Sequence, residues 1–161
     1  MTVGRGEMPK FRARDIMSSP PITISVDGTV EEAAELMLDR NVGAVIVVDA
    51  GGNYVGIVAE RSFMPRRSLV PFMRGEVFRV MGVQVKSGGD IQDAIDSNRG
   101  RRLGDVLNGD TPTSHPNATA AELAEIMLSL EVNHVPIVED GRPVGIVSRH
   151  DFLRMFAGRT D

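Results

Sequence analysis

The 161-residue chain has no cysteine and no tryptophan, and its aromatic content is six phenylalanines and one tyrosine. Without thiols there is no disulfide framework, no thiolate nucleophile and no Cys-ligated zinc or iron–sulfur centre. Long apolar runs are also missing. The stretch Val42 to Val48 is among the longest, far short of the ~20 residues that span a bilayer, so no membrane partner is expected. The first residues, MTVGRGEMPKFRAR, are basic but lead into no apolar segment, so no signal peptide is expected and a cytoplasmic protein is the simplest reading. A strong charge of one sign is lacking too: 18 Lys+Arg against 22 Asp+Glu leave a formal charge of -4, which gives nucleic acid no general attraction. The three histidines, His115, His134 and His150, have no ligand spacing such as H-x-x-x-H, so no metal site is expected. No P-loop is present, since Gly51-Gly52 and Gly88-Gly89 read as turn or helix-start signals. Ser148, His150 and Asp151 stand too close in sequence to converge as nucleophile, base and orienter, so no catalytic residue is assigned and no enzyme is expected.

Hydrophobic residues make up 42% of the chain and charged residues 25%, the balance of a globular protein with a real core. The chain also repeats itself. Residues 15–48 align with 105–138 at an offset of 90, pairing Asp15 with Asp105, Thr23 with Thr113 and Thr29 with Thr119. Glu32, Ala34, Glu35, Met37 and Leu38 then meet Glu122, Ala124, Glu125, Met127 and Leu128. Val42, Val45 and Val48 meet Val132, Val135 and Val138. One residue is lost in the following turn, and Gly56-Ile57-Val58 meets Gly145-Ile146-Val147 at an offset of 89.

Each copy carries the same signals. An extended lead-in (Asp15-Ile16-Met17, then Ile22-Thr23-Ile24) flanks Pro20-Pro21, where a helix interior or central strand is disfavoured. Thr29 followed by Glu32 is a capping box, and Val30, Ala33, Ala34, Met37 and Leu38 recur at helical spacing. The second copy repeats this from Thr119 with Leu123, Ile126, Met127 and Leu130. Ala44–Val48 and Val135–Val138 are β-branched runs that read as buried strands. Turn-forming residues follow, then return strands Tyr54–Val58 and Val144–Val147, each leading into a second helix. The fold class is α/β (α+β), two β-α-β-β-α repeats expected to pack as a pseudo-two-fold pair.

The segment from Val132 to Phe152, with its core Val-Asn-His-Val-Pro-Ile-Val and its Gly145-Ile-Val-Ser148-Arg-His150-Asp151, resembles a CBS domain. The first copy, Asn41 to Phe63, is a weaker match, and the two in tandem resemble a CBS pair, or Bateman module. The resemblance implies a regulatory module with an adenine nucleotide (AMP, ADP or ATP) as ligand and no required cofactor. It also implies a homodimer through the repeat helices and a cleft between repeats. In such pairs the Gly-x-x-Ser/Thr-x-x-Asp element binds ribose and phosphate, which assigns Ser148 and Asp151, with Arg149 and His150 bringing positive charge. Carried over by position, the other wall is Ser18, Thr23, Val42, Gly43 and Ala44, and Asn133 and His134 line the polyphosphate end. S-adenosylmethionine, a cation, is disfavoured by those positive groups. The alternative reading of the motif is local: Ser148 caps a helix and Asp151 steadies its first turn. The pseudo-symmetric copy has Ala59 for Ser148, Ser62 for Asp151, an added Glu60, and Asn108 for Ser18. One competent site per chain is therefore expected.

The expected organisation is an N-terminal extension (1–12), a first repeat (13–64), a linker (65–102), a second repeat (103–157) and a tail (158–161). Between Arg61 and Arg102 nine basic and four acidic residues give +5 and leave -9 elsewhere. That linker is too long and too apolar for a plain connector, and Ile91, Ala94 and Ile95 suggest a short helix begun near Asp90. It is read as closing over its own repeat or a subunit interface, or else as an arginine-lined mouth for polyphosphate or an acidic partner. A structural or protein-interaction module without nucleotide is the main alternative function. Nucleic-acid binding through the basic linker is weaker, because only Phe72 and Phe78 interleave the charge.

Overall fold

The structure, a computed structural model, describes residues 11–63, 66–68, 77–80, 83–86, 91–107 and 111–159. In chain order the elements are α1 (Ala13–Ile16), β1 (Thr23–Ser25), α2 (Val30–Arg40), β2 (Ala44–Val48), β3 (Tyr54–Ala59) and α3 (Glu60–Phe63). Next come β4 (Arg66–Ser68), β5 (Val77–Val80), β6 (Val83–Lys86) and α4 (Ile91–Arg99). The chain continues with α5 (Leu103–Val106), α6 (Ala120–Ser129), β7 (His134–Glu139), β8 (Arg142–Ser148) and α7 (Arg149–Phe156).

Both long helices start by the same reciprocal cap. Thr29 Oγ1 accepts from the Glu32 amide at 3.2 Å, and a Glu32 carboxylate oxygen accepts from the Thr29 amide at 2.8 Å. Thr119 and Glu122 repeat this at 3.2 and 2.7 Å. The two bonds satisfy amides that have no partner within the helix. The amide and hydroxyl of Thr119 also hold the Glu122 carboxyl below its ordinary range. Just past α2, Asn41 adopts the left-handed conformation (φ 50°) that turns the chain into β2, and Glu131 (φ 52°) does so before β7.

The elements gather into two units, and these divide the chain differently from the repeats. One unit is contiguous, Ile22–Thr111; the other joins the N-terminal residues through Pro21 to the chain from Pro112 onward. In the contiguous unit β1 lies parallel to β2 and β2 antiparallel to β3, with a register shift at Val47/Val48. Its core is Val30, Ala33, Met37, Val45, Val47, Val58 and Leu103. Leu103 belongs by sequence to the second repeat, yet it is fully buried here and its amide donates to the Gly28 carbonyl at 2.8 Å. In the discontinuous unit β7 and β8 pair antiparallel with the equivalent shift at Ile137/Val138. Ser114 flanks β7 and Ser18 flanks β8 as single bridges. Ala13, Ile16, Ala118, Leu123, Met127, Val135, Ile137 and Val147 form its core.

Each lead-in segment thus packs on the sheet of the other repeat, and a glycine in each return strand makes room for it. A Cβ on Gly145 would lie 2.8 Å from Met17 Cγ, and one on Gly56 would lie 3.2 Å from Leu107 Cδ1. The lead-in is also not wholly extended: residues 13–16 form a helical turn, held by the Ala13 amide on the Ala118 carbonyl at 2.7 Å. The apolar stripes are narrower than their periodicity implies. Leu38 and Leu130, expected in the core, are 80% and 55% exposed, and Leu128, the counterpart of Leu38, is 80% exposed. Leu38 and Leu128 directly follow the buried Met37 and Met127 in sequence.

The linker carries the expected helix, α4, whose Arg99 pairs with Glu31 of α2 at 2.6 Å. It also holds an unexpected three-stranded antiparallel sheet, β4-β5-β6, in which the register aligns Arg66 with Arg79 and Arg79 with Gln84. Phe72, Gly88, Gly89 and Asp90 lie outside the described residues. Among the described residues no helix is long and apolar enough to cross a membrane.

Candidate functional site

Strand β8 ends at Ser148 and α7 starts at Arg149, with Ser148 extended (φ -119°, ψ 168°) at the N-cap. Asp151, in the first turn, reaches back: one carboxylate oxygen, Oδ2, accepts from the Ser148 amide at 2.7 Å and from the Ser148 hydroxyl at 3.1 Å. Among the described residues Asp151 is the one buried charged residue, at 3% exposure. Its other oxygen, Oδ1, lies 3.5 Å from the Arg154 guanidinium. Burying a carboxylate is costly unless it is paired and hydrogen-bonded, and this one has both kinds of partner.

The lead-in segment is stitched across β8 beside it. The Ser18 amide donates to the Ile146 carbonyl at 2.9 Å, the Ile146 amide donates back at 3.1 Å, and the Ser19 hydroxyl donates to the Val144 carbonyl at 2.8 Å. Between this segment and α7 lies a cavity of ≈ 290 Å³, walled by Asp15 to Pro20 on one side and by Asp151, Arg154, Met155 and Arg159 on the other. Its lining combines two serines (Ser18 and Ser19), two carboxylate residues (Asp15 and the buried Asp151) and two arginines (Arg154 and Arg159).

The expected site residues fall in three places. Ser18 and Asp151 share this cavity. Asn133, His134, Ser148 and Arg149 gather where β7 begins and β8 ends: the Arg149 side chain and amide each donate to Asn133 at 3.2 Å, and His134 pairs in register with Ser148. Arg149 and His150 are exposed. Thr23, Val42, Gly43 and Ala44 belong to the contiguous unit. There Val42 and Gly43 line a separate groove of ≈ 470 Å³ with Met37, Leu38, Glu60 and Phe63. Ala44 is buried opposite Ala59, and Thr23 pairs with Ile46.

The cations on the wall of the Asp151 cavity are therefore Arg154 and Arg159, in place of the expected Arg149, His150 and His134. The sequence carried a signal for Arg154, whose spacing of three from Asp151 puts both on one helix face. Arg159 lies past the end of α7, where periodicity gives no guide. In the pseudo-symmetric copy Ser62 stands in for the carboxylate, its hydroxyl accepting from the Ala59 amide at 3.2 Å. That helix start has a cap without a charge. Asn108 lies outside the described residues.

The family model for the CBS domain matches residues 13–66 and 103–158. Among curated proteins, the chain is 28% identical over 93% of its length to the uncharacterized protein MJ1404 of Methanocaldococcus jannaschii. It is 26% identical over 98% of its length to L-aspartate semialdehyde sulfurtransferase of the same organism. It spans only 33% and 26% of those two proteins. Among solved structures, it resembles the CBS domain pair of protein MJ0100 in complex with 5′-methylthioadenosine and S-adenosyl-L-methionine. That likeness has a TM-score of 0.68 at 25% identity and covers 94% of this chain and 99% of the other.

Proposed function

The chain belongs to the CBS domain family, and from that premise we propose that it is a non-catalytic regulatory module that senses an adenine nucleotide at one site per chain. The observation that carries this reading is Asp151: a buried carboxylate on the wall of a ≈ 290 Å³ cavity that Ser18 also lines. A carboxylate accepts both hydroxyls of a ribose, and the guanidinium groups of Arg154 and Arg159 suit phosphate. The similar MJ0100 pair is described with two adenosine derivatives, which supports the same ligand class here. AMP, ADP and ATP are the proposed ligands, with Ser148 and Asn133 holding the start of α7 and its neighbours in place. Ligand then acts by favouring one of two pre-existing arrangements of the protein.

The proposed assembly is a homodimer. Leu38 and Leu128 are each 80% exposed at equivalent positions of the two repeats, and Phe156 is 92% exposed. A second copy of the chain is the occupant that would cover such matched apolar positions. A cytoplasmic setting fits these roles.

A second reading is a protein-interaction module in which Asp151 serves only the helix start; the two bonds from Ser148 favour it. Calorimetric titration with AMP, ATP and adenosine separates the two. Saturable binding near one ligand per chain supports sensing, and absence of binding by all three leaves the interaction module.

A further inference from the structure

The strands of the linker sheet, Arg-Arg-Ser, Val-Phe-Arg-Val and Val-Gln-Val-Lys, carry four cations and no acid. At the end of the linker, by contrast, cations meet acids of the same chain. Arg99 lies 2.6 Å from Glu31 and 3.7 Å from Asp96, and Arg102 lies 3.9 Å from Asp27. The register sorts the sheet residues into two faces, because successive residues of a strand alternate. Arg66 stands opposite Arg79, Arg79 opposite Gln84, Ser68 opposite Val77 and Val77 opposite Lys86. These share one face. The other holds Phe78, Val80, Val83 and Val85, with Arg67 opposite Phe78. The sheet is therefore amphipathic, and Arg66, Arg79 and Lys86 belong to its polar face.

Residues directly opposite in antiparallel strands have Cβ atoms ~4.5–5.5 Å apart, and diagonal neighbours lie at ~7–8 Å. Arg66 and Arg79 hold the first relation, Arg79 and Lys86 the second. Like charges placed opposite one another destabilise a sheet. An anion on that face turns the repulsion into attraction. A carboxylate is filled by the fork of one guanidinium, whereas a terminal phosphate offers three acceptor oxygens and up to about two negative charges. Two arginines side by side therefore match a phosphate better than an acidic side chain. A nucleic-acid strand spreads single charges between bases that stack on aromatic residues, and the aromatic residue of these strands, Phe78, belongs to the opposite face. We propose that the face bearing Arg66, Arg79 and Lys86 is a second anion site, which takes a chain of condensed phosphates. Arg66 and Arg79 share its terminal phosphate, and Lys86 is placed for the phosphates that follow. Such a chain comes from free inorganic polyphosphate or from the tail of a nucleoside triphosphate. The site lies in the contiguous unit and shares no residue with the Asp151 cavity.

The test is calorimetric titration of the full chain with inorganic tripolyphosphate, orthophosphate, ATP and a single-stranded oligonucleotide. Tripolyphosphate has no ribose, so its binding does not depend on the adenosine reading of the Asp151 cavity. It should bind wild type more tightly than orthophosphate does, and less tightly as salt rises. Arg66→Gln and Arg79→Gln should each weaken it by about 10-fold, the scale of a lost charge-assisted hydrogen bond. Arg67→Gln removes the same charge from the neighbouring position on the other face and should leave affinity nearly unchanged. Thermal melts of the variants run alongside, and Arg66→Lys, which should keep most of the affinity, tests the position should a glutamine variant unfold. In an Asp151→Ala background, ATP weakened by Arg79→Gln marks nucleoside triphosphates as a source of the chain. ATP indifferent to Arg79→Gln marks free polyphosphate, and either result supports the site. Equal weakening in Arg67→Gln overturns the inference, because net charge and not the face then sets affinity. Tighter binding of orthophosphate or of the oligonucleotide than of tripolyphosphate overturns it too, as does a wild type that binds no tripolyphosphate.

Discussion

Replacing Gly145 by alanine puts the crossed packing of the lead-in segment under direct strain. The new methyl would lie 2.8 Å from Met17 Cγ and 3.1 Å from Met17 Cβ, with Met17 Sδ also too close. Carbon atoms prefer ~3.5–4.0 Å, so Met17 has to retreat by up to roughly 1 Å. Its Cβ is tied to a backbone that the Ser18–Ile146 bridge fixes to the same strand. Overpacking of this kind costs about 1–3 kcal/mol. Alanine recovers roughly 0.5–1 kcal/mol of strand propensity, leaving a net loss on the order of 1–2 kcal/mol. For a chain of this size that lowers Tm by about 2–8 °C. Gly56→Ala is the internal control, because it meets only Leu107 methyls, at 3.2 and 3.5 Å, on the free end of a flexible side chain. Its effect should stay within about 0.5 kcal/mol of zero. Scanning calorimetry of both variants, and of Gly145→Ala in a Met17→Ala background, checks the argument. The penalty should vanish once Met17 is truncated. A Gly145→Ala protein as stable as wild type, or one that loses the same amount with Met17 absent, refutes it.

Asp151→Ala should weaken AMP by about 10- to 100-fold and also cost about 0.5–2 kcal/mol of stability, since the residue holds the start of α7. Ser62→Ala should cost a cap of similar size yet leave ligand affinity unchanged, as titration and melting of the two proteins would establish. Thr119→Ala should lower stability by about 0.5–2 kcal/mol in a denaturant melt. Glu122 has its folded pKa depressed below 4.5, so its contribution is present above the unfolded pKa and is lost as pH falls through the folded one. Melts from pH 7 down to about 3 should therefore show part of the acid destabilisation disappear in Glu122→Gln. Wild type should scatter light as twice 17.4 kDa, and Leu38→Glu combined with Phe156→Asp should scatter as a single chain.

The parts of the fold legible in the sequence are those where local chemistry and periodicity agree. Thr29 with Glu32 and Thr119 with Glu122 announced the helix starts, and the β-branched runs announced β2 and β7. What stayed hidden depends on contacts far along the chain. Nothing local in Ala13–Ile16 states that it will fold against residues a hundred positions away, and without that partner so short a turn has no reason to be helical. Gly56 and Gly145 were visible as repeat markers, but the side chains they admit were not. The three strands of the linker escaped because each is only three or four residues long, too short for an alternating pattern to stand out. At the site, Ser148 and Asp151 followed from their motif. Which cations line the Asp151 cavity, Arg154 and Arg159, depends on helix geometry and on the end of α7, which proximity in sequence to Arg149 and His150 does not report.

The way the two units divide the chain also dictates an order of events during synthesis. Residues 22–111 hold everything the contiguous unit needs, so it can close as soon as that stretch has left the ribosome. The lead-in segment emerges earlier but has nothing to fold onto until β7 and β8 exist. At ~5–20 residues per second, the roughly 130 residues to the end of β8 keep it waiting about 7–26 s, with Ile16 and Met17 uncovered. Joining its ends across an already folded stretch also makes this closure the most non-local step in the molecule. The lead-in residues are thus made before the strands they pack on yet reach their place after them, and they carry Ser18 into the cavity wall when they do.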